Sequence, residues 1–237
     1  MNSGMLRKLV TILHAATKLP IQTGIATSET PKQLKHSNAC DSHKRKDRKV
    51  LSPEAKIVII NGPRMTGKTS IIVPTLLDAL HYHPAARPVM AESMVMPLKL
   101  FIGAALHQPY ERMNRNIPLE ALQGHSINDL LINLSEAYLK PRYGKDVFAR
   151  LLMVRLMNHH LTPEWIIIDG CGFEEERQAL RNAVKNVITV KVERPGYDFR
   201  GDSRTYLSDP DYILPNHGDE DMLRNETVKL AQSLDRG

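Results

Sequence analysis

The chain has 237 residues, of which 42% are hydrophobic, and these values are typical of one large globular domain or two small ones. Its two cysteines, Cys40 and Cys171, exclude a disulfide framework and predict a reducing compartment such as the cytoplasm. No apolar run approaches the roughly 20 residues of a membrane span, so we expect no membrane partner.

The net charge of +6 is concentrated at one end of the chain. Residues 1–50 contain 10 basic and 3 acidic residues, whereas residues 51–237 contain 22 basic and 23 acidic residues. We therefore predict a basic, disordered extension over 1–50 and one nearly neutral folded domain over 51–237. Nucleic acid is expected to bind only through residues 1–50, if at all, and an organelle transit peptide is the other interpretation of that segment.

Strands and helices are predicted to alternate, because short apolar runs are separated by segments with helical periodicity. The predicted strands cover residues 56–61, 89–91, 165–169, 187–192 and 213–214, and the predicted helices run from the glycine-rich loop to about 83 and over 97–108, 127–139, 147–159, 174–186 and 221–234. Ser126 is the expected helix cap before residue 127, and Pro74 should kink the first helix. The alternation predicts an α/β fold with a doubly wound, mainly parallel five-stranded sheet.

The first predicted strand leads into Gly62-Pro63-Arg64-Met65-Thr66-Gly67-Lys68-Thr69, which fits the G-x-x-x-x-G-K-[ST] pattern of a phosphate-binding loop. Loop N–H groups and the following helix N-terminus, which includes Ser70, would bind phosphate oxygens. Lys68 would reach the β- and γ-phosphates, and the Thr69 hydroxyl would ligate Mg²⁺. The sequence therefore predicts ATP and Mg²⁺ as cofactors in a fold of the P-loop NTPase type.

Charged residues follow two later strands. Asp169 ends the apolar run that begins at Trp165, and an acid at this place commonly completes the Mg²⁺ shell in P-loop proteins. Arg194, Arg200 and Arg204 follow the fourth predicted strand on a loop that contains glycine and proline. Phosphoryl transfer needs cations over the developing negative charge, so these arginines are predicted catalytic residues. A solvated basic loop is the alternative.

The chain resembles the phage-type deoxynucleoside monophosphate kinases over about residues 56–234. Besides the phosphate loop, the similar segments are Met96-Pro97-Leu98-Lys99, Gly144-Lys145-Asp146-Val147-Phe148, Ile168-Asp169 with Phe173-Glu174-Glu175-Glu176, Val192-Glu193-Arg194-Pro195-Gly196 with Gly201-Asp202-Ser203, and Leu214-Pro215-Asn216-His217-Gly218. The resemblance implies transfer of the γ-phosphoryl group of MgATP to a (deoxy)nucleoside 5′-monophosphate, with Lys99, Asp146 and Arg150 binding the acceptor. It also implies deoxynucleotide metabolism, in the host cytoplasm for a phage-encoded chain, and leaves a homodimer open.

The chain departs from this family at two places. Met96 stands where the family often has Asp, and Gly170, Cys171 and Gly172 stand where it usually has an Arg soon after the third strand. Both places lie where the monophosphate is expected. Two other functions therefore stay open, namely a P-loop ATPase or GTPase that drives conformational change, and a degenerate kinase fold that acts as a binding protein.

Overall fold

A computed structural model describes residues 51–52, 54–81, 88–159 and 162–236. The basic extension over residues 1–50 lies outside the described residues, so its disorder and the domain boundary at 51 stay predictions. Within the described part, no helix is both long and apolar enough to cross a membrane.

Five parallel strands form one sheet in the order β2-β3-β1-β4-β5. The strands are β1 (Lys56–Asn61), β2 (Val89–Ser93), β3 (Trp165–Asp169), β4 (Asn186–Glu193) and β5 (Tyr212–Pro215). The α-helices are α1 (Val73–His81), α2 (Met96–Ala105), α3 (Ile127–Ile132), α4 (Lys140–Tyr143), α5 (Val147–Met157), α6 (Glu174–Ala183) and α7 (Glu220–Arg236). The predicted α/β class and five-stranded parallel sheet are confirmed.

Each face of the sheet carries its own apolar core, because side chains alternate along a strand. Ile57 and Ile59 of β1 pack on the side of α2, α5 and α6, and Val58 and Ile60 pack on the side of α1 and α7. All four isoleucine and valine side chains are fully buried. Helices thus cover both faces, as a doubly wound sheet requires.

The first helix differs from the predicted continuous, kinked helix. It begins as a π-helical turn, Lys68–Ile72, and continues as α1 from Val73. The Val73 N–H donates to the Lys68 carbonyl, five residues back. Pro74 has no N–H and cannot sit in a regular α-helical ladder, so the wide turn directly before it accommodates the proline. The predicted end near residue 83 falls outside the described residues.

The other elements agree with their predictions to within a few residues. Ser126 caps α3 through a capping box with Asp129, as predicted. The helix predicted over 127–139 is α-helical only to Ile132 and continues as a second π-helical turn, Asn133–Leu139. The helix predicted over 174–186 ends at Ala183, because Asn186 already belongs to β4.

Candidate active site

The phosphate loop lies at the carboxyl end of β1, between β3 and β4 in the sheet. Gly67 has a φ of 77°, and a Cβ atom there would approach the Leu223 side chain of α7 to 2.9 Å. Both the left-handed backbone and the close helix therefore require glycine. The Asn216 amide donates to the Thr66 carbonyl at 3.0 Å and fixes the loop to the segment after β5.

Lys68 folds back into its own loop. Its ammonium group donates to the Pro63 carbonyl and, at 3.2 Å, to the Thr66 hydroxyl. Burial and the nearby Arg204 lower the pKa of Lys68 to about 8, although Asp169 and Asp202 oppose this shift. A phosphate group in the loop would replace the carbonyl as the partner of this cation.

Thr69 and Asp169 meet as the metal prediction requires. The Thr69 hydroxyl donates to Asp169 Oδ2 at 2.8 Å. Asp169 Oδ1 is buried and, among the residues that the structure describes, has no hydrogen-bond partner. Hard oxygen donors and a spare carboxylate oxygen suit Mg²⁺, which usually takes one or two protein ligands and completes its shell with water and phosphate. These residues fit the ion.

The phosphate loop forms one wall of a cavity of about 600 Å³. A second group of lining residues, here called the second wall, includes two cations, Lys99 from α2 and Arg115 from the loop that follows it. Both lie against the ring of Tyr110, with the Lys99 ammonium 5.8 Å and the Arg115 guanidinium 5.4 Å from its centroid. Lys99 also donates to Ser93 Oγ at 3.0 Å, and burial lowers its pKa. Arg115 was not predicted, because it lies in a polar loop with no motif.

A largely buried cluster of charges, Glu136, Lys140 and Glu176, extends the same cavity. The Lys140 ammonium contacts Glu136 at 2.8 Å and lies 3.5 Å from the centre of the Phe173 ring. Burial raises the pKa of the nearby Glu176 to about 7, although Lys140 and the Gly172 N–H favour its charged form. Glu136 lies on the second π-helical turn, and such turns are frequent at functional sites. In the sequence, Glu136 and its neighbours have the pattern of an ordinary amphipathic helix.

The three predicted catalytic arginines occupy different surroundings. Arg204 lines the cavity, and Asp202 accepts hydrogen bonds from its Nε at 3.0 Å and its Nη2 at 2.5 Å. Burial disfavours the Arg204 charge, but the hydrogen bonds that Arg204 donates to Asp202 prevail and raise the pKa of Arg204. Arg194 stacks on Tyr197 and donates to the Met65 carbonyl at the rim of the phosphate loop.

Arg200 does not reach the cavity. Its side chain is 90% exposed and contacts only Asp198 at 3.2 Å within the described part of the chain. Its predicted catalytic role would need a movement of the loop, and without that movement Arg200 fits the alternative of a solvated charge.

Two residues predicted to bind the acceptor substrate, Asp146 and Arg150, lie outside the phosphate-loop cavity. Asp146 and Arg150 form an ion pair at 3.0 Å and line a separate, open cavity beside α6. The described linings of this cavity and of the phosphate-loop cavity have no residue in common. The structure therefore brings Lys99 to the phosphate loop but not Asp146 or Arg150. Met96, the first departure from the family, is the first residue of α2.

Asn61, the last residue of β1, holds the segment that contains Arg204. Its side-chain Nδ2 donates to the Cys171 carbonyl at 2.9 Å and to the Thr205 carbonyl at 3.1 Å. Its side-chain Oδ1 accepts a hydrogen bond from the Leu207 N–H at 3.1 Å. Asn61 is itself buried. No motif marks this residue, although a polar side chain in an apolar strand just before a phosphate loop is a usable signal.

No protein-family model and no curated protein matches the chain. Among solved structures it is similar to shikimate kinases from Aquifex aeolicus vf5 and Bacteroides thetaiotaomicron and to a gluconokinase from Sinorhizobium meliloti 1021. The identities are 14%, 11% and 15%, and the TM-scores are 0.38, 0.41 and 0.34. The matches cover 76%, 76% and 77% of this chain and 99%, 98% and 96% of the other chains. Likenesses of this size concern the fold and carry no argument about the acceptor.

Proposed function

We propose that the protein transfers the γ-phosphoryl group of MgATP to a (deoxy)nucleoside 5′-monophosphate. The observation that carries the proposal is that one cavity is lined both by the phosphate loop with Lys68 and by the Lys99–Arg115 pair of the second wall. An enzyme that only hydrolyses ATP needs one polyanion site, whereas a kinase with an anionic acceptor needs two that face each other. The flanking ring of Tyr110 gives the second site an apolar surface as well.

The reaction needs positioning and charge more than proton transfer. Lys68 and the loop N–H groups would bind the β- and γ-phosphates of ATP, and Thr69 and Asp169 would hold Mg²⁺, which neutralises charge between these phosphates. Lys99 and Arg115 would bind the acceptor phosphate. Because that phosphate is already an anion, its oxygen can attack the γ-phosphorus without a general base, while the bond to the leaving ADP breaks.

Arg204 would stabilise charge on the phosphoryl group in transit. It lies close enough to Lys68 and Asp169 for its charge to affect Lys68 and to be affected by Asp169. A cation held in place before the reaction stabilises the transition state without reorganisation at that moment. The Asp202 carboxylate, whose pKa the Arg204 contacts lower despite its burial, keeps the guanidinium in this position.

The test is an assay of ADP release with MgATP and each of the ribo- and deoxyribonucleoside monophosphates. We expect at least one acceptor to raise ADP release by a factor of ten or more over the acceptor-free rate, with a matching diphosphate product. ADP release that no acceptor changes would favour a P-loop ATPase, and MgATP binding without turnover would favour the degenerate binding protein. The cytoplasmic, phage-related setting, pairing with a second copy and nucleic-acid binding by residues 1–50 stay predictions.

A further inference from the structure

Gly172, the last of the three residues at the second departure from the phage-type kinases, lies directly against the stem of Arg204. A Cβ atom at position 172 would lie 2.4 Å from Arg204 Cβ, 2.7 Å from Cγ and 2.9 Å from Cδ. Real Cβ atoms do not approach other heavy atoms this closely. Gly172 has no left-handed φ, so glycine is required here for space and not for backbone conformation.

The stem of Arg204 cannot move away from position 172 at low cost. The Thr205 N–H donates to the Gly172 carbonyl at 3.0 Å, so the two backbones are joined beside the close contact. Asn61 holds the same backbone through the Thr205 carbonyl and the Leu207 N–H. Since Cβ is fixed to the backbone, a side chain at 172 would have to break these hydrogen bonds or displace the whole segment.

We infer that Gly172 is a positioning residue, which admits the Arg204 stem and thereby sets its guanidinium in the cavity before any acceptor binds. The inference rests on the proposed function, in which Arg204 stabilises the transferred phosphoryl group. The inference also gives Arg204 a different role from the exposed Arg200. The segment that contains Arg204 is fixed by hydrogen bonds to β1 and to the segment after β3. Closure of a mobile loop is therefore not needed to bring Arg204 into place.

A double-mutant cycle with Gly172→Ala and Arg204→Gly tests this assignment, because a glycine at 204 removes all three clashing atoms. We expect Gly172→Ala to lower kcat at least tenfold while KM for MgATP changes less than threefold. The double variant should then match Arg204→Gly alone, since no arginine is left to displace. The Arg204→Gly background is itself the control, because the same added Cβ atom then meets none of the three clashing side-chain atoms.

Thermal unfolding provides a second test of the same variants, and this test needs no acceptor substrate. Gly172→Ala should lower Tm by about 5 °C in the wild-type background and by less than 2 °C in the Arg204→Gly background. Equal losses of Tm or kcat in both backgrounds would overturn the assignment, as would a Gly172→Ala variant with the Tm and kcat of the wild type. If the wild type phosphorylates no nucleoside monophosphate, the proposed function fails, but the Tm cycle still decides whether Gly172 positions Arg204.

Discussion

The two walls of the cavity are built in different ways. The phosphate-loop wall comes mainly from one continuous stretch, residues 64–70, with Asp169 added by the neighbouring strand. The second wall gathers Lys99, Arg115 and Lys140 from separate helices and loops. The continuous phosphate-loop wall presents a fixed backbone to ATP, which every acceptor would share. In the second, dispersed wall, one side chain can be substituted without a change in the others. The first wall should therefore control catalysis with any acceptor, and the second should control which acceptor binds.

The largest effect is expected at Lys68. Lys68→Ala removes the cation that would meet the β- and γ-phosphates, so turnover should fall by about 10³-fold or more, equivalent to about 4 kcal/mol. Steady-state ADP release with the best acceptor measures this loss, and circular dichroism checks the fold. Turnover within tenfold of the wild type would rule out the assigned role of the loop.

Arg204 and Arg200 form a matched pair, because both are arginines of the same loop but only Arg204 lines the cavity. Arg204→Ala should lower kcat by about 10²-fold, as is common for the loss of one preorganised donor. Arg200→Ala should stay within twofold, since its exposed ion pair with Asp198 contributes little. A large loss in Arg200→Ala would show instead that the loop closes during turnover.

Acceptor binding should depend on the dispersed wall. Lys99→Ala and Arg115→Ala should each raise KM for the monophosphate by about tenfold to thirtyfold, because each removes one charged contact to a phosphate. KM for MgATP should change less than threefold. Lys145→Ala is the control, since this lysine lies in the separate cavity with Glu175. Equal changes in the KM for the monophosphate and the KM for MgATP would contradict the assignment of the acceptor to the second wall and of ATP to the phosphate-loop wall.

The smallest effect concerns pH. The folded pKa of Lys68 lies at about 8, below its ordinary value of 10.5, so the free protein loses this charge as pH rises through 8. Phosphate binding requires the charged form, and MgATP affinity should therefore fall by up to about tenfold per pH unit above 8. Fluorescence titration between pH 7 and 9.5 measures the slope. Lys99→Ala should keep the slope, and a flat profile in the wild type would contradict the assignment.

The contrast between the walls also explains what the sequence could predict. The order of strands and helices followed from apolar runs, and Lys68, Thr69 and Asp169 followed from a motif with fixed spacing. Arg115 and Glu176 could not be predicted in the same way, because their place in the cavity depends on tertiary packing. The ends of helices were also less predictable, since a π-helical turn at Asn133–Leu139 has the same apolar pattern as an α-helix.

The three arginines of one loop show where prediction from the sequence fails. Arg194, Arg200 and Arg204 have equivalent sequence surroundings, with glycine or proline close to each. Their different positions arise from partners far along the chain, namely Met65 for Arg194 and Gly172 for Arg204. Local sequence does not contain these contacts, so a charge count on the loop could not separate them.

The hydrogen bonds of Asn61 also limit how this region can be inherited or engineered. Asn61, Gly172 and Thr205 come from three distant parts of the chain, yet each one is tied to another by a hydrogen bond. A transplant of residues 204–208 into another scaffold would bring the arginine without the partners that orient it. Among related sequences, we expect a change at residue 204 to shorter side chains to be followed by loss of glycine at 172, so that the two positions vary together.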